Sequence, residues 1–268
     1  SPMRLKATRP EIKAPFDRAL ARRIEEASLN AWPSLHQVLL DGWLLRFSGG
    51  FTKRANSIIP LYPSLQPSLE KIRYCENLYA REKLQTMFRL TSIDDLVALD
   101  ETLAARKYRY LDPTSVMHLD LERRPGSFHE ADGIHALSLQ DWLNAYCELS
   151  GMPEPASQLH GLLLKSIRTD ALFLTRYEGN TLVACGLGVV ERELVGLYDI
   201  LTKAERRGEG HGRALVEALL LRAGDMGAQR AYLQVMDDNL NAKKLYESLG
   251  FETTYKYWYR TSPEAPTP

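Results

Sequence analysis

Between Leu194 and Asp225 the chain changes character three times, and that order narrows the fold more than any other feature. Leu194–Thr202 is a mostly apolar run and reads as a strand. Lys203–Gly212 is polar and carries Gly208, Gly210 and Gly212 at alternate positions. Arg213–Asp225 is rich in Ala and Leu and reads as a helix. Glycines let backbone N–H groups converge on one point, and the start of the helix adds partial positive charge. Such a junction suits a phosphate or pyrophosphate, with Arg206, Arg207 and Arg213 supplying full charges around it. Two common phosphate loops do not match. A Walker loop ends in Gly-Lys-Ser/Thr, and here Gly212-Arg213-Ala214 stands instead. A dinucleotide loop in the register of Gly208 and Gly210 needs a third glycine where Arg213 stands.

The rest of the composition sets bounds. The chain has 268 residues, room for about two domains. Hydrophobic residues at 44% and charged residues at 25% place it among ordinary globular proteins and against disorder or collagen. Lys+Arg and Asp+Glu are 34 each, which disfavours a basic nucleic-acid binder. No apolar run is long enough to span a membrane, and the start of the chain lacks a signal core, so the expected location is cytoplasmic. Cys75, Cys147 and Cys185 lack both zinc-ligand spacing and a disulfide framework, so reduced and mostly buried thiols and no metal are expected.

Periodicity divides the chain in two. In the first half, from about Pro10 to Leu121, helices are predicted at Asp17–Ala31, Ser68–Lys83 and Ser92–Arg106, the last capped by Ser92. Val38–Phe47 is apolar with Asp41-Gly42 inside it. Ala55–Leu61 and Thr86–Leu90 read as strands, and Tyr108–Leu121 as extended with a bend at Pro113. Residues 122–133 hold charges, Pro125, Gly126 and Gly133 and read as a linker. The second half, 134–260, has predicted helices at Ser138–Leu149, Ala156–Arg168 and Asn241–Leu249. Its predicted strands are Ala171–Tyr177, Leu182–Val190, Arg230–Val235 and Thr253–Tyr259. The Pro-rich 261–268 reads as a disordered tail, and Ser1-Pro2 ahead of Met3 as a remnant outside the fold.

The arrangement Arg207-x-x-Gly210-x-Gly212 resembles the pyrophosphate loop of the GCN5-related N-acetyltransferase (GNAT) superfamily. Downstream, Asn239-x-x-Ala242-x-x-Leu245-Tyr246, ending in Gly250-Phe251, resembles the same superfamily's later helix. The two pieces stand in order, with a helix and a strand between them. The resemblance covers about Ile134 to Tyr259 and implies an α+β, three-layer fold with a mixed central sheet flanked by helices. It implies a co-substrate, acetyl-CoA or a longer acyl-CoA. The loop residues Arg207, Gly208, Glu209, Gly210, His211, Gly212 and Arg213 would hold its pyrophosphate. Ile200, Leu201 and Thr202 would run beside its pantetheine arm, with the Ile200 amide facing the thioester oxygen. Asn239 would touch the arm, and Tyr246 would protonate the leaving thiolate as general acid. The strands flanking this point would have to splay. The usual proline after the strand is replaced by Ala204, and His211, where relatives are apolar, reads as a loop side chain.

The implied activity is transfer of an acyl group, acetyl first, to a primary amine on a small molecule or peptide. The alternatives are a fatty acyl chain carried to a Lys-like side chain, and an acyl-CoA-binding module without catalysis. Asp199 is one residue from Ile200, so alternation turns it away from the thioester, while Glu191 and Glu193 read as solvated. The first half repeats strand, helix, strand over Thr86–Leu121. Setting Tyr108 against Phe251 puts Leu103 opposite Tyr246, and Tyr62–Pro67 holds no glycine. It reads as a degenerate GNAT-like copy in a tandem protein, walling the acceptor cleft. Trp43, Arg54 and Asn56 are candidates to line that cleft, against core packing for Trp43 and turn bonding for Asn56. Nothing in the sequence selects an oligomeric state.

Overall fold

Val195 and Leu197 pack to one side of the strand Leu194–Thr202, while Leu194 and Tyr198 pack to the other, and all four are buried. A strand apolar on both faces needs a covering layer on each. The computed structural model describes residues 15–124 and 126–263 and supplies both layers. In chain order the elements are α1 (Arg18–Ala31), β1 (His36–Leu40), β2 (Trp43–Phe47), a 3-10 turn (Arg54–Asn56), β3 (Ile58–Pro60), α2 (Ser68–Arg81), β4 (Met87–Thr91), α3 (Val97–Ala105) and β5 (Arg109–Asp120). Then follow β6 (Ile134–Ala136), α4 (Leu139–Ser150), α5 (Ala156–Lys165), β7 (Asp170–Glu178), β8 (Thr181–Glu191), β9 (Leu194–Thr202), a second 3-10 turn (Ala204–Arg206), α6 (His211–Asp225), β10 (Arg230–Met236), α7 (Leu240–Ser248) and β11 (Glu252–Thr261).

The fold is α+β, one mixed eleven-stranded sheet in the order β1-β2-β3-β4-β11-β5-β10-β9-β8-β7-β6. Helices α2, α3, α6 and α7 cover one face, and α1, α4 and α5 cover the other. The sequence halves exchange their last strands. β11 lies between β4 and β5, and β5 lies between β11 and β10. Each half therefore completes the other's sheet. The units β4-α3-β5 and β10-α7-β11 also end their helices alike. Tyr108 N–H donates to Leu103 O and Phe251 N–H to Tyr246 O, both at 3.0 Å. The residue before each has positive φ, Lys107 at 69° and Gly250 at 99°.

Most predicted elements recur within a few residues, and four differences have local causes. Asp41 and Gly42, with φ of 46° and 83°, turn the Val38–Phe47 segment into the β1–β2 hairpin. Ser92 does not cap α3. Its N–H and hydroxyl oxygen pair with Lys256 of β11, so the helix starts at Val97. The Pro-rich end begins later than 261, because Thr261 closes β11 and Ser262 N–H donates to Thr86 O. Helix α6 starts at His211, so His211 and Gly212 belong to its first turn rather than to the loop. The readings for Ser1-Pro2, the start near Pro10 and residues 264–268 lie outside the described residues.

The exchange is pinned on the α1 face. Glu25 of α1 is buried against Arg89 of β4 and accepts from the Tyr255 hydroxyl of β11 at 2.5 Å, and the Arg89 guanidinium lies 3.9 Å from the centre of the Tyr257 ring. Breaking a buried pair by removing one partner costs about 3–5 kcal/mol, because the other charge stays buried and unpaired. Arg89→Met is expected to lower unfolding stability by that order in urea titration. The double variant Glu25→Leu/Arg89→Met is expected to lose less than the two single losses added. Simple additivity would show that the two side chains are not coupled.

Candidate active site

Antiparallel pairing along β8 and β9 slips once. Cys185 pairs with Leu201 and Leu187 with Tyr198, so two steps along β8 face three along β9. The extra residue is a bulge at Asp199, whose φ is 52°. Gly186 stands opposite, where an added Cβ would lie 2.7 Å from Ile200 Cδ1 and 2.8 Å from Leu215 Cδ2. On the other side, parallel pairing of β9 with β10 runs from Leu194↔Arg230 to Leu197↔Leu233 and stops. Beyond it the strands part. The edge of Tyr198–Thr202 that faces β10 has no strand partner, and a cleft of about 710 Å³ opens between them. Ile200 lines this cleft, and Leu201 and Thr202 continue β9 towards the glycine loop.

The loop then turns into α6. Gly208 and Gly210 have φ of 80° and 86°, and no side chain caps the helix at Gly210. The first intrahelical bond is Ala214 N–H to Gly210 O, so the amides of His211, Gly212 and Arg213 are left over at the helix start. Arg206 does not project as a free charge. It donates to Glu178 at 2.7 Å and to Glu209 at 2.9 Å, bracing the loop against β7. These bonds hold the Glu209 carboxyl below its ordinary range. Arg213 reaches Ser248 Oγ at 2.8 Å and Glu217, whereas Arg207 is exposed with no ion-pair partner among the described residues. His211 is buried rather than a loop side chain, with Nε2 3.4 Å from Glu178 and 3.6 Å from Glu209. These three groups bring donor atoms within 4.8 Å of one another, a spacing a metal could use, but Arg206 already holds both carboxylates.

Across the cleft, Asn239 caps α7 by accepting from Ala242 N–H at 3.2 Å, and it lies on the cleft wall. Tyr246 lines the same wall, nearly buried, with its ring edge-on to Phe251. Burial pushes its phenol up to about 12. Asp199 is not turned away. The bulge breaks the alternation and sets its carboxylate in the cleft, where Oδ2 meets His160 Nε2 at 2.7 Å. His160, on α5, is fully enclosed by Trp32, Phe51, Trp142 and Tyr146, and its Nδ1 is buried without a partner. A proton on Nε2 leaves that Nδ1 as a bare acceptor, whereas a doubly protonated ring would bury an unpaired N–H. The geometry therefore fits Nε2–H of His160 donating to Asp199 Oδ2.

His160 and Tyr146 were not visible as site residues in the sequence. A single histidine on an apolar helix, 39 positions from its partner, carries no spacing signal. Glu191 and Glu193 stand outside the cleft, bonded to Asn30 and Arg23. Of the three first-half candidates, Trp43 is core, and Asn56 bonds the backbone of Ser48, Gly50, Phe51 and Thr52. Arg54 alone reaches the cleft. No described helix is long and apolar enough to cross a membrane.

Known proteins resemble this chain in sequence and in fold. The profile of the family described as "Probable histone acetyltransferase Rv0428c C-terminal" matches residues 19–260. "Uncharacterized N-acetyltransferase YobR" of Bacillus subtilis is 27% identical over 89% of this chain and 97% of its own. Among solved structures, a GCN5-related N-acetyltransferase from Kribbella flavida superposes with a TM-score of 0.67 at 17% identity, covering 91% of this chain and 96% of its own. A tandem GNAT protein from the clavulanic acid biosynthesis pathway gives 0.53 at 14% identity, over 72% of this chain and 70% of its own. The match across almost the whole described chain places it in the Rv0428c C-terminal family of N-acetyltransferases, within the GNAT superfamily.

Proposed function

We propose that the chain transfers an acetyl group from acetyl-CoA to a primary amine, with the thioester seated where β9 and β10 part. That parting is the observation that carries the reading, because an unpaired strand edge opening onto a helix start offers N–H groups to a ligand. The amides of Gly208, Glu209, Gly210, His211, Gly212 and Arg213 would take the pyrophosphate, with Arg207 as free charge. Leu201, Thr202 and Asn239 would flank the pantetheine arm. Acetyl is favoured over a fatty chain because the matching family and its Bacillus subtilis relative are described as acetyltransferases.

In the reaction Asp199 accepts a proton from the attacking amine, held in place by His160. The amine nitrogen bonds to the carbonyl carbon, and the oxygen's developing charge falls to the Ile200 N–H. The C–S bond breaks, and the departing thiolate takes the proton of Tyr246, whose burial keeps it protonated at neutral pH. The first half, with Leu103 where Tyr246 would stand, is read as a copy that has lost cofactor grip and acid and serves as a wall. The family's description as a probable histone acetyltransferase favours a peptide lysine as a second acceptor class.

Four outcomes test this reading. Calorimetry is expected to detect desulfo-CoA binding, and no heat would remove the proposal. Tyr246→Phe is expected to cut kcat at least about tenfold while desulfo-CoA still binds. Because the phenol is raised to about 12, its acid form predominates until about a unit below that value and is lost as pH climbs through it. The wild-type rate should therefore show no alkaline fall from Tyr246 below about pH 11. Asp199→Asn is expected to lower kcat by about 10²–10⁴-fold with binding retained, and an unchanged kcat would move the base elsewhere.

A further inference from the structure

The acceptor end of the cleft contains a cation that acyl transfer does not need. Arg54 comes from the first half, on a turn fixed by Asn56 and by Arg46, which donates to Arg54 O at 3.1 Å. Its guanidinium lies 4.4 Å from the centre of the Trp32 ring and 5.5 Å from that of Tyr198. Its Nη1 donates to Gln234 Oε1 at 2.9 Å. Nε and Nη2 have no hydrogen-bond partner among the described residues and are not sealed off, so one edge of the guanidinium remains open on a cleft-lining residue. No carboxylate pairs with Arg54 among the described residues. Asp199 belongs to the same end of the cleft. Burial first and then the Asp199 charge push the Tyr146 phenol up, and Arg54 pulls it down, so both charges act on one ring.

A site for a plain amine gains nothing from a fixed cation, since a protonated amine is repelled by it. A ligand with an amine at one end and an anion at the other fits both charges. The open edge, Nε with Nη2, presents two parallel N–H donors, the geometry that matches a carboxylate. Stacking on Trp32 and the bond to Gln234 hold that edge before the ligand arrives, which reduces the ordering lost on binding.

We infer that Arg54 and Asp199 together select an acceptor that carries a carboxylate as well as its amine, that is, a free amino acid or a small amino-acid derivative. The carboxylate lies on the Nε–Nη2 edge of Arg54, and the amine faces Asp199 Oδ1, which has no partner among the described residues. Tyr146 lines the same cleft as both charged residues. The inference rests on the acyl-transfer reading and adds the acceptor class to it. It also gives the first half a direct part in specificity.

The experiment follows coenzyme A release from acetyl-CoA with the wild-type protein. The acceptors are the twenty amino acids, their decarboxylated amines, and lysine-containing peptides with blocked termini. At least one amino acid is expected to exceed its own decarboxylated amine in kcat/KM by about 10–100-fold, the loss from leaving a charged hydrogen-bonding group without its ligand. In Arg54→Gln that ratio is expected to collapse towards one, with Arg54→Lys between. Desulfo-CoA calorimetry on the same samples shows whether each protein is folded and binding. Equal rates for amino acids and amines, transfer to peptides alone, or no transfer to any amino acid by a protein that binds desulfo-CoA would each overturn the acceptor class. Failure to bind desulfo-CoA would remove the acyl-transfer reading first, and this inference with it.

Discussion

The cleft on which the proposed chemistry rests depends on two strands that stop pairing. β9 and β10 run parallel as far as Leu197 and Leu233 and then separate, giving up backbone bonds that a sheet interior would ordinarily keep. The slip at Asp199 makes this possible. One extra residue increases local twist and bends β9 away from its neighbour. The absent side chain at Gly186 admits Ile200 and Leu215 on the opposite side. The same residue that creates the opening also supplies its carboxylate, so shape and chemistry come from one position.

The strand exchange explains why a half without a glycine loop is still part of the site. With β5 inserted between β10 and β11, and β11 between β4 and β5, neither half can complete its sheet alone. The Glu25–Arg89 pair and the tyrosines of β11 lock that junction from the α1 face. A rigid sheet fixes the first half's Arg54 turn relative to β9 and β10. Positioning of this kind is what a specificity residue requires, since a small displacement weakens a two-point contact.

The glycine loop, the Asn239–Phe251 segment and the bounds of β9 were all readable, because each rests on local rules of turn residues, periodicity and capping. The same local rules misplaced Ser92 and Asp199. Ser92 is a good cap by type, yet pairing with Lys256 claimed it. Strict alternation turns Asp199 to the far side, and a bulge depends on neighbouring strands that a sequence window does not contain. His160 and Tyr146 gave no signal, since an isolated histidine or tyrosine on a helix reads as core until its neighbours across space are known.

The sequence by itself determined the family and the local elements that carry the match: the strand Leu194–Thr202, the glycine-bearing turn after it, the helix that follows, and the Asn239–Phe251 segment. These depend on residues close together along the chain. Only the tertiary structure decided what meets that machinery. It set the carboxylate of Asp199 against His160, carried Arg54 from the other half to the cleft, and parted the strands between them. Contacts across 39 and 180 positions arise from strand order and register, and those are settled by packing of the whole sheet rather than by any local run of residues.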